Sequence, residues 1–209
     1  MYQRVLIVIS SLFFLISCKS MTTKIDVNCI SQETFRFIEP EKSLYKLPFG
    51  VGEGYELRQG NCTFGTHSVQ SKEQFAFDFI MDIGTPIHAA RSGHVVSIED
   101  RFFDGNNVNN DFNHIIIAHG DNAFSYYVHL TNAGVTVKLG EFVNQGDLIG
   151  YSGNTGMSST PHLHFEVFEI NDKCFKKESS EKCPSIPVSF NNANPSDKIL
   201  NHGVIYTAQ

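Results

Sequence analysis

The chain has 209 residues, of which 41% are hydrophobic and 18% charged, enough apolar content to fill a core and too much for a disordered tail. Its formal charge of -6 and the lack of any lysine–arginine cluster argue against a nucleic-acid partner. Phenylalanine is frequent at 18 residues, tryptophan is absent, and β-branched residues recur in short runs, which favours sheet over helix.

The first element is an apolar stretch from Val5 to Ile16, preceded by Arg4 and followed by Cys18. It is short for a membrane-spanning helix and fits the apolar region of an export signal. Leu15-Ile16-Ser17-Cys18 resembles the lipobox of bacterial lipoproteins, which implies cleavage before Cys18 and lipidation of that cysteine, hence a membrane anchor. An ordinary signal with an incidental cysteine, or an uncleaved anchor, stays open at this point. Lys19 after the cysteine, by resemblance to Gram-negative lipoproteins, points to the outer membrane. The expected division is a signal peptide over 1–17, a tether and arm over 18–46, one domain over 47–170 and a C-terminal extension over 171–209.

Four further cysteines remain, Cys29, Cys62, Cys174 and Cys183. An even set in an exported chain suggests disulfides, with buried free thiols as the alternative. Cys174 and Cys183 bound a short Lys/Glu/Ser-rich loop and are expected to pair, which leaves Cys29 for Cys62. No pair has the close spacing of a zinc knuckle.

From Tyr55 onward, strand-like runs such as "QFAFDFIM", "HVVSIED", "HIIIAHG", "FSYYVHL" and "DLIGYSG" are separated by Gly, Asn and Asp turns. None has the length and 3.6-residue period of a substantial helix. The pattern predicts a compact, antiparallel all-β domain. After Ile170 it dissolves into the Cys-bounded loop and a Pro/Asn-rich tail.

Side chains two apart on a strand share a face. In "TPHLHFEVFE" this puts His162, His164 and Glu166 on one face and Leu163, Phe165 and Val167 on the other. In "QFAFDFIM" it puts Asp78 with Ala76 and Ile80, a costly place for an acid unless it is paired or metal-bound. In "FSYYVHL" it aligns Tyr127 with His129. Taken singly, each has an ordinary alternative, a solvated acid or a packed histidine.

Taken in order, "FAFDFIMDIGTPIHAARSGHVV", "NHIIIAHG", "YYVHL", "VKLGEFVNQGDLIGYSGNTG" and "STPHLHFEV" resemble the lysostaphin/LytM-type zinc endopeptidases that cut peptidoglycan peptides. The resemblance covers roughly residues 55–170. It implies a metallopeptidase domain of the LytM-like, duplicated hybrid-motif type, with a groove over the sheet. It implies Zn²⁺ bound by an upstream His, Asp78 and His164. His129 and His162 would divide two tasks, accepting a water's proton and hydrogen-bonding the oxyanion, with Tyr127 as possible support.

The first ligand departs from the commonest pattern. Four residues before Asp78 stands Gln74, a poor zinc ligand. "LRQGNCTFGTHSVQSKEQFAFDF" resembles a branch that carries the histidine further upstream, which implies His67, with Ser68 to Phe77 looping out between the two ligands. His88, His94, His114, His119 and His202 have no partner by spacing. Two other classes stand beside the enzyme: an inactive relative that binds the wall or activates amidases, and a lipoyl- or biotinyl-type carrier. No Lys lies at the centre of a tight turn between matching strands, as a carrier needs.

Overall fold

The computed structural model describes residues 36–170, 174 and 183–209. The expected signal, Cys18, Cys29 and the first part of the arm lie outside the described residues. Among the described residues no helix is long and apolar enough to cross a membrane.

Eleven strands run in chain order: β1 (Gly54–Gln59), β2 (Phe77–Ile80), β3 (Pro86–His88), β4 (Gly93–Glu99), β5 (Asn113–Ala118), β6 (Ala123–Val135), β7 (Phe142–Val143), β8 (Leu148–Ser152), β9 (His162–Glu169), β10 (Ala193–Asn194) and β11 (Ile205–Ala208). Among the described residues the only helical pieces are two 3-10 turns, Pro40–Lys42 and Gly65–His67. All pairings are antiparallel, in the order β10-β11-β1-β2-β9-β6-β5-β4-β7, with β8 joining β3 to β6. This is the expected all-β architecture.

Alternation decides which face is dry. Along β5, Asn113, Ile115 and Ile117 are buried while the residues between them are partly exposed. Phe77, Phe79 and Phe165 fill one side of β2 and β9 and meet Phe190 at 5.1, 6.5 and 5.9 Å between ring centroids. Each of these fully buried rings contributes about 1.5–3 kcal/mol of transfer free energy, so this face dominates the stability of the sheet. The opposite face of the same strands carries Asp78, His162 and His164.

The residues after 183 contribute more than a tail. β10 and β11 extend the sheet beyond β1, and Val188, Phe190, Leu200 and Tyr206 belong to the main core with Leu47 and Phe49. Asn192 Oδ1 accepts the Leu47 amide at 2.8 Å and Asn191 Nδ2 donates to Ser43 O at 2.8 Å, which ties the two ends of the chain together. The expected Cys174–Cys183 disulfide is present and packs with Phe168, Phe124 and Tyr126. Cys62 is also disulfide-bonded, and its expected partner Cys29 lies outside the described residues.

His119 illustrates how a structural histidine behaves in this fold. Its Nδ1 donates to Ser92 O at 2.9 Å, its ring stands edge-on to Tyr45, and Arg91 and Asp121 lie nearby. Burial is the main cause of a pKa lowered to about 4, against the hydrogen bond to Ser92. The unfolded chain therefore binds a proton near pH 6.5 and the native chain only near 4. Stability is whole above 6.5 and falls as pH drops through that window. We expect urea denaturation to show a loss between pH 7 and 4.5 that is smaller by about 2 kcal/mol in a His119→Gln variant, once partial exposure is allowed for. Equal losses in both proteins would refute this.

Candidate metal centre and flanking histidines

Two regular strands and one loop bring the first three residues together. Asp78 on β2 and His164 on β9 are directly paired in register, and Val128 of β6 pairs His164 on its other side. His67 comes from the loop between β1 and β2, at the end of the Gly65–His67 turn. The side chains meet where alternation aims Asp78 and His164. His164 Nδ1 lies 2.9 Å from Asp78 Oδ1, and His67 Nε2 lies 3.4 Å from the same oxygen. The ligand atoms of the three all lie within 4.8 Å of one another.

The loop carrying His67 is braced from beneath. Phe37, Cys62 and Phe75 form a small apolar cluster under it. Gln74 is part of that bracing: its Oε1 accepts the Gln70 amide at 2.8 Å and its backbone carbonyl accepts the Cys62 amide at 2.7 Å. Gln74 is thus engaged in the loop and lies outside the converging group.

His67 is fully buried, and neither of its ring nitrogens has a hydrogen-bond partner among the described residues. An unsatisfied buried polar group costs about 1–3 kcal/mol, and native folds rarely leave one without a reason. A divalent cation held by His67, Asp78 and His164 would give one of the two nitrogens a partner. Two imidazoles and a carboxylate form the N/O donor set that zinc takes, so the residues fit the metal. Burial alone would raise Asp78, yet His67 and His164 hold its carboxyl well below the usual range, so it is ionised at neutral pH. For His164 burial opposes the charged form, but the hydrogen bond to Asp78 and the nearby Glu166 carboxylate hold the ring up at about 10 without a metal. The buried Glu166 carboxylate stands 3.9 Å from His164 Nε2, on the side away from Asp78.

His129 and His162 sit beside this group, their rings 4.6 Å apart. His162 Nδ1 faces Thr160 O at 2.8 Å, and His129 Nδ1 faces Thr155 O at 2.6 Å. A carbonyl only accepts, so in both rings the proton sits on Nδ1 and Nε2 carries the lone pair. His162 Nε2 lies 3.7 Å from Asp78 Oδ1. Burial lowers the pKa of both: for His129 to about 3, with His162 and His164 adding to the effect; for His162 against the attraction of Asp78. Both are neutral bases at pH 7.

Tyr127 is placed differently from expectation. Its hydroxyl accepts the Ala90 amide at 2.8 Å, and its ring packs on Phe165 in the main core, on the far side of the sheet from the histidines. The reason is a bulge. His114 pairs Val128 and Asn113 pairs Leu130, so His129 is an extra residue in β6, held at a φ of 65°. Strict alternation ends there, and His129 turns to the face of Tyr126 and Val128 instead of that of Tyr127.

Around these residues runs a groove of about 550 Å³, lined also by Gln59, Thr66, Glu73, Asn109, Asn110, Phe112, Tyr126, Met157, Ser158 and Ser159. The 100–112 loop is fastened to the 153–157 loop by Asp104, which accepts the Asn154 amide and the Thr131 hydroxyl at 2.6 Å each, and by Asn106, which accepts the Gly156 amide at 2.7 Å. A Cβ on Gly153 would stand 2.4 Å from the Thr131 nitrogen, so only glycine permits this approach. Loop residues of this kind were invisible to strand periodicity. The Asx-rich run between Asp104 and Asp111 was the one available hint of such bracing.

The sequence pattern described as peptidase family M23 matches residues 72–176. The peptidoglycan DD-endopeptidase ShyA of Vibrio cholerae is 39% identical over 90 residues, 43% of this chain and 19% of that protein. The glycyl-glycine endopeptidase ALE-1 of Staphylococcus capitis is 34% identical over 163 residues, 76% of this chain and 38% of that protein. The chain thus spans well under half the length of these relatives. Among solved structures, the antimicrobial peptidase lysostaphin from Staphylococcus simulans aligns at 32% identity with a TM-score of 0.44, over 56% of this chain and 43% of that one.

Proposed function

The chain belongs to peptidase family M23, and from that premise we propose that it is a zinc-dependent endopeptidase hydrolysing amide bonds in peptidoglycan peptides during cell-wall remodelling. One observation carries the reading: a buried His67–Asp78–His164 group lies beside two neutral histidines, one of which turns its Nε2 lone pair towards Asp78. The residues before Cys18 are proposed as a lipoprotein signal, and the acylated Cys18 as an anchor at the periplasmic face of the outer membrane. Residues 18–46 then serve as tether and arm, 47–170 as the peptidase domain and 171–209 as its extension.

Zn²⁺ held by His67, Asp78 and His164 would supply a polarised scissile carbonyl and an acidified water. The chain's own groups handle the proton. His162, its Nδ1–H fixed on Thr160 O, accepts at Nε2. His129, its Nδ1–H fixed on Thr155 O, presents Nε2 to the same space. The histidine that has taken the proton becomes a donor for the oxyanion or for the leaving amine. Phe112, against the His129 ring, keeps bulk water from that side.

Purified sacculi incubated with the protein expressed from residue 19 onward test this reading. We expect release of peptide fragments carrying new amino termini, abolished by a chelator and restored by zinc. Sacculi left intact by zinc-loaded protein would overturn the enzyme in favour of a wall-binding or amidase-activating relative.

A further inference from the structure

Asp78 has two carboxylate oxygens, and they live in different surroundings. Oδ1 faces His67, His162 and His164. Oδ2 accepts a hydrogen bond from the side-chain amide of Gln59, at 2.7 Å. A carboxylate only accepts, so the Gln59 nitrogen must be the atom on this side. The amide oxygen then points the other way, against Gly65, where a Cβ would stand 2.7 Å from it. Gly65 opens the turn that ends at His67, so one glycine seats both Gln59 and the histidine loop.

A bulge puts Gln59 in this position. Leu57 pairs Phe79 and Gln59 pairs Asp78, which makes Arg58 the extra residue of β1. Arg58 is exposed; with regular pairing it would stand opposite Asp78. An arginine there would form a buried, bidentate ion pair with the carboxylate and compete directly with a cation for it. Gln59 donates one hydrogen bond and no charge. Oδ2 is occupied, while the negative charge and Oδ1 stay available.

We infer that Gln59 is a positioning residue that fixes Asp78 as a one-oxygen ligand and keeps its charge for the metal. This rests on the zinc reading above and adds to it a residue that acts through Asp78 and not as a ligand. Its effect is on the metal, by the general rule that groups orienting a ligand govern affinity about 10–100-fold.

The test is metal binding by full-length Gln59→Met, a substitution that keeps the apolar stem and removes the amide. We expect zinc affinity, measured by competition with a chromophoric chelator, to fall about 10–100-fold, with near-ultraviolet circular dichroism unchanged. In the Co²⁺-loaded variant, Oδ2 is released to bind as well, raising the coordination number and weakening the visible absorption. Zinc affinity within about twofold of the parent, with an unchanged Co²⁺ spectrum, would overturn the inference. Should the variant fail to fold, the parent still decides: a hydrogen-bonded Gln59 side-chain amide proton must persist in the NMR spectrum of the zinc-loaded protein, and its absence refutes the role. A parent that binds no zinc removes the metal reading and this inference with it.

Discussion

Replacing His67 with Ala is expected to leave a folded protein that no longer retains zinc. Metal ligands lose more on removal than the 10–100-fold that follows when an orienting group is lost, and His67 is one of only three side chains in the group. The parent should gain stability from added zinc, about 4 kcal/mol at a free concentration a thousandfold above its dissociation constant. That gain should vanish in the variant. Thermal denaturation with and without zinc, together with elemental analysis, reads both effects. Stoichiometric zinc in His67→Ala would remove the histidine from the site and return the first ligand to an unidentified residue. Because the imidazole is fully buried, the zinc-free variant also reports what truncation costs the loop, and the difference between the two denaturation curves isolates the metal.

The second large effect concerns the flanking pair. His162→Ala is expected to lower kcat by about 10²–10⁴ while zinc content and its stabilisation remain. For His129 the informative replacement is Asn, because the residue sits at a φ of 65° and Asn tolerates the left-handed region that most residues resist. His129→Asn should fall in the same range. Residues that act as a unit are not additive, so the double variant should lose little more than the worse single one. Both histidines are held below the ordinary histidine pKa by burial. The neutral, proton-accepting forms therefore dominate at pH 7, and the acid limb of kcat/KM should lie below 6.5. A single variant with full activity would exclude that histidine from proton transfer, and loss of zinc in either would show it to be a ligand instead.

Where β2 and β9 run regularly, the sequence was legible to the residue. Period-two alternation put Asp78 on the face opposite Phe77 and Phe79, and His162, His164 and Glu166 opposite Leu163 and Phe165, as observed. Reading failed at the bulges, because one extra residue flips every later side chain. That is how Tyr127 was aligned with His129 and how Gln59 escaped notice between Arg58 and Gly60. The last two strands were missed for another reason. β10 has two residues and β11 four, too short to show a period, and the pairing of β11 with β1 depends on contacts formed across more than a hundred residues of chain. His67 was reached only through family resemblance. Nothing in a 3-10 turn followed by a ten-residue excursion announces a partner for Asp78.

The two bulges also bear on how portable this centre is. Copying its side chains onto another antiparallel sheet with regular strands would bring the wrong neighbours: the residue equivalent to Arg58 would face the aspartate, and the counterpart of Tyr127 would share a face with that of His129. A designer would have to transplant two backbone defects along with the residues. Conversely, deleting Arg58, the exposed extra residue, should regularise β1 and leave Gln59 opposite Asp78, whereas deleting Gln59 would put Arg58 there. In this fold, the number of residues between Leu57 and Gly60 decides which side chain meets the aspartate, as much as their identity does.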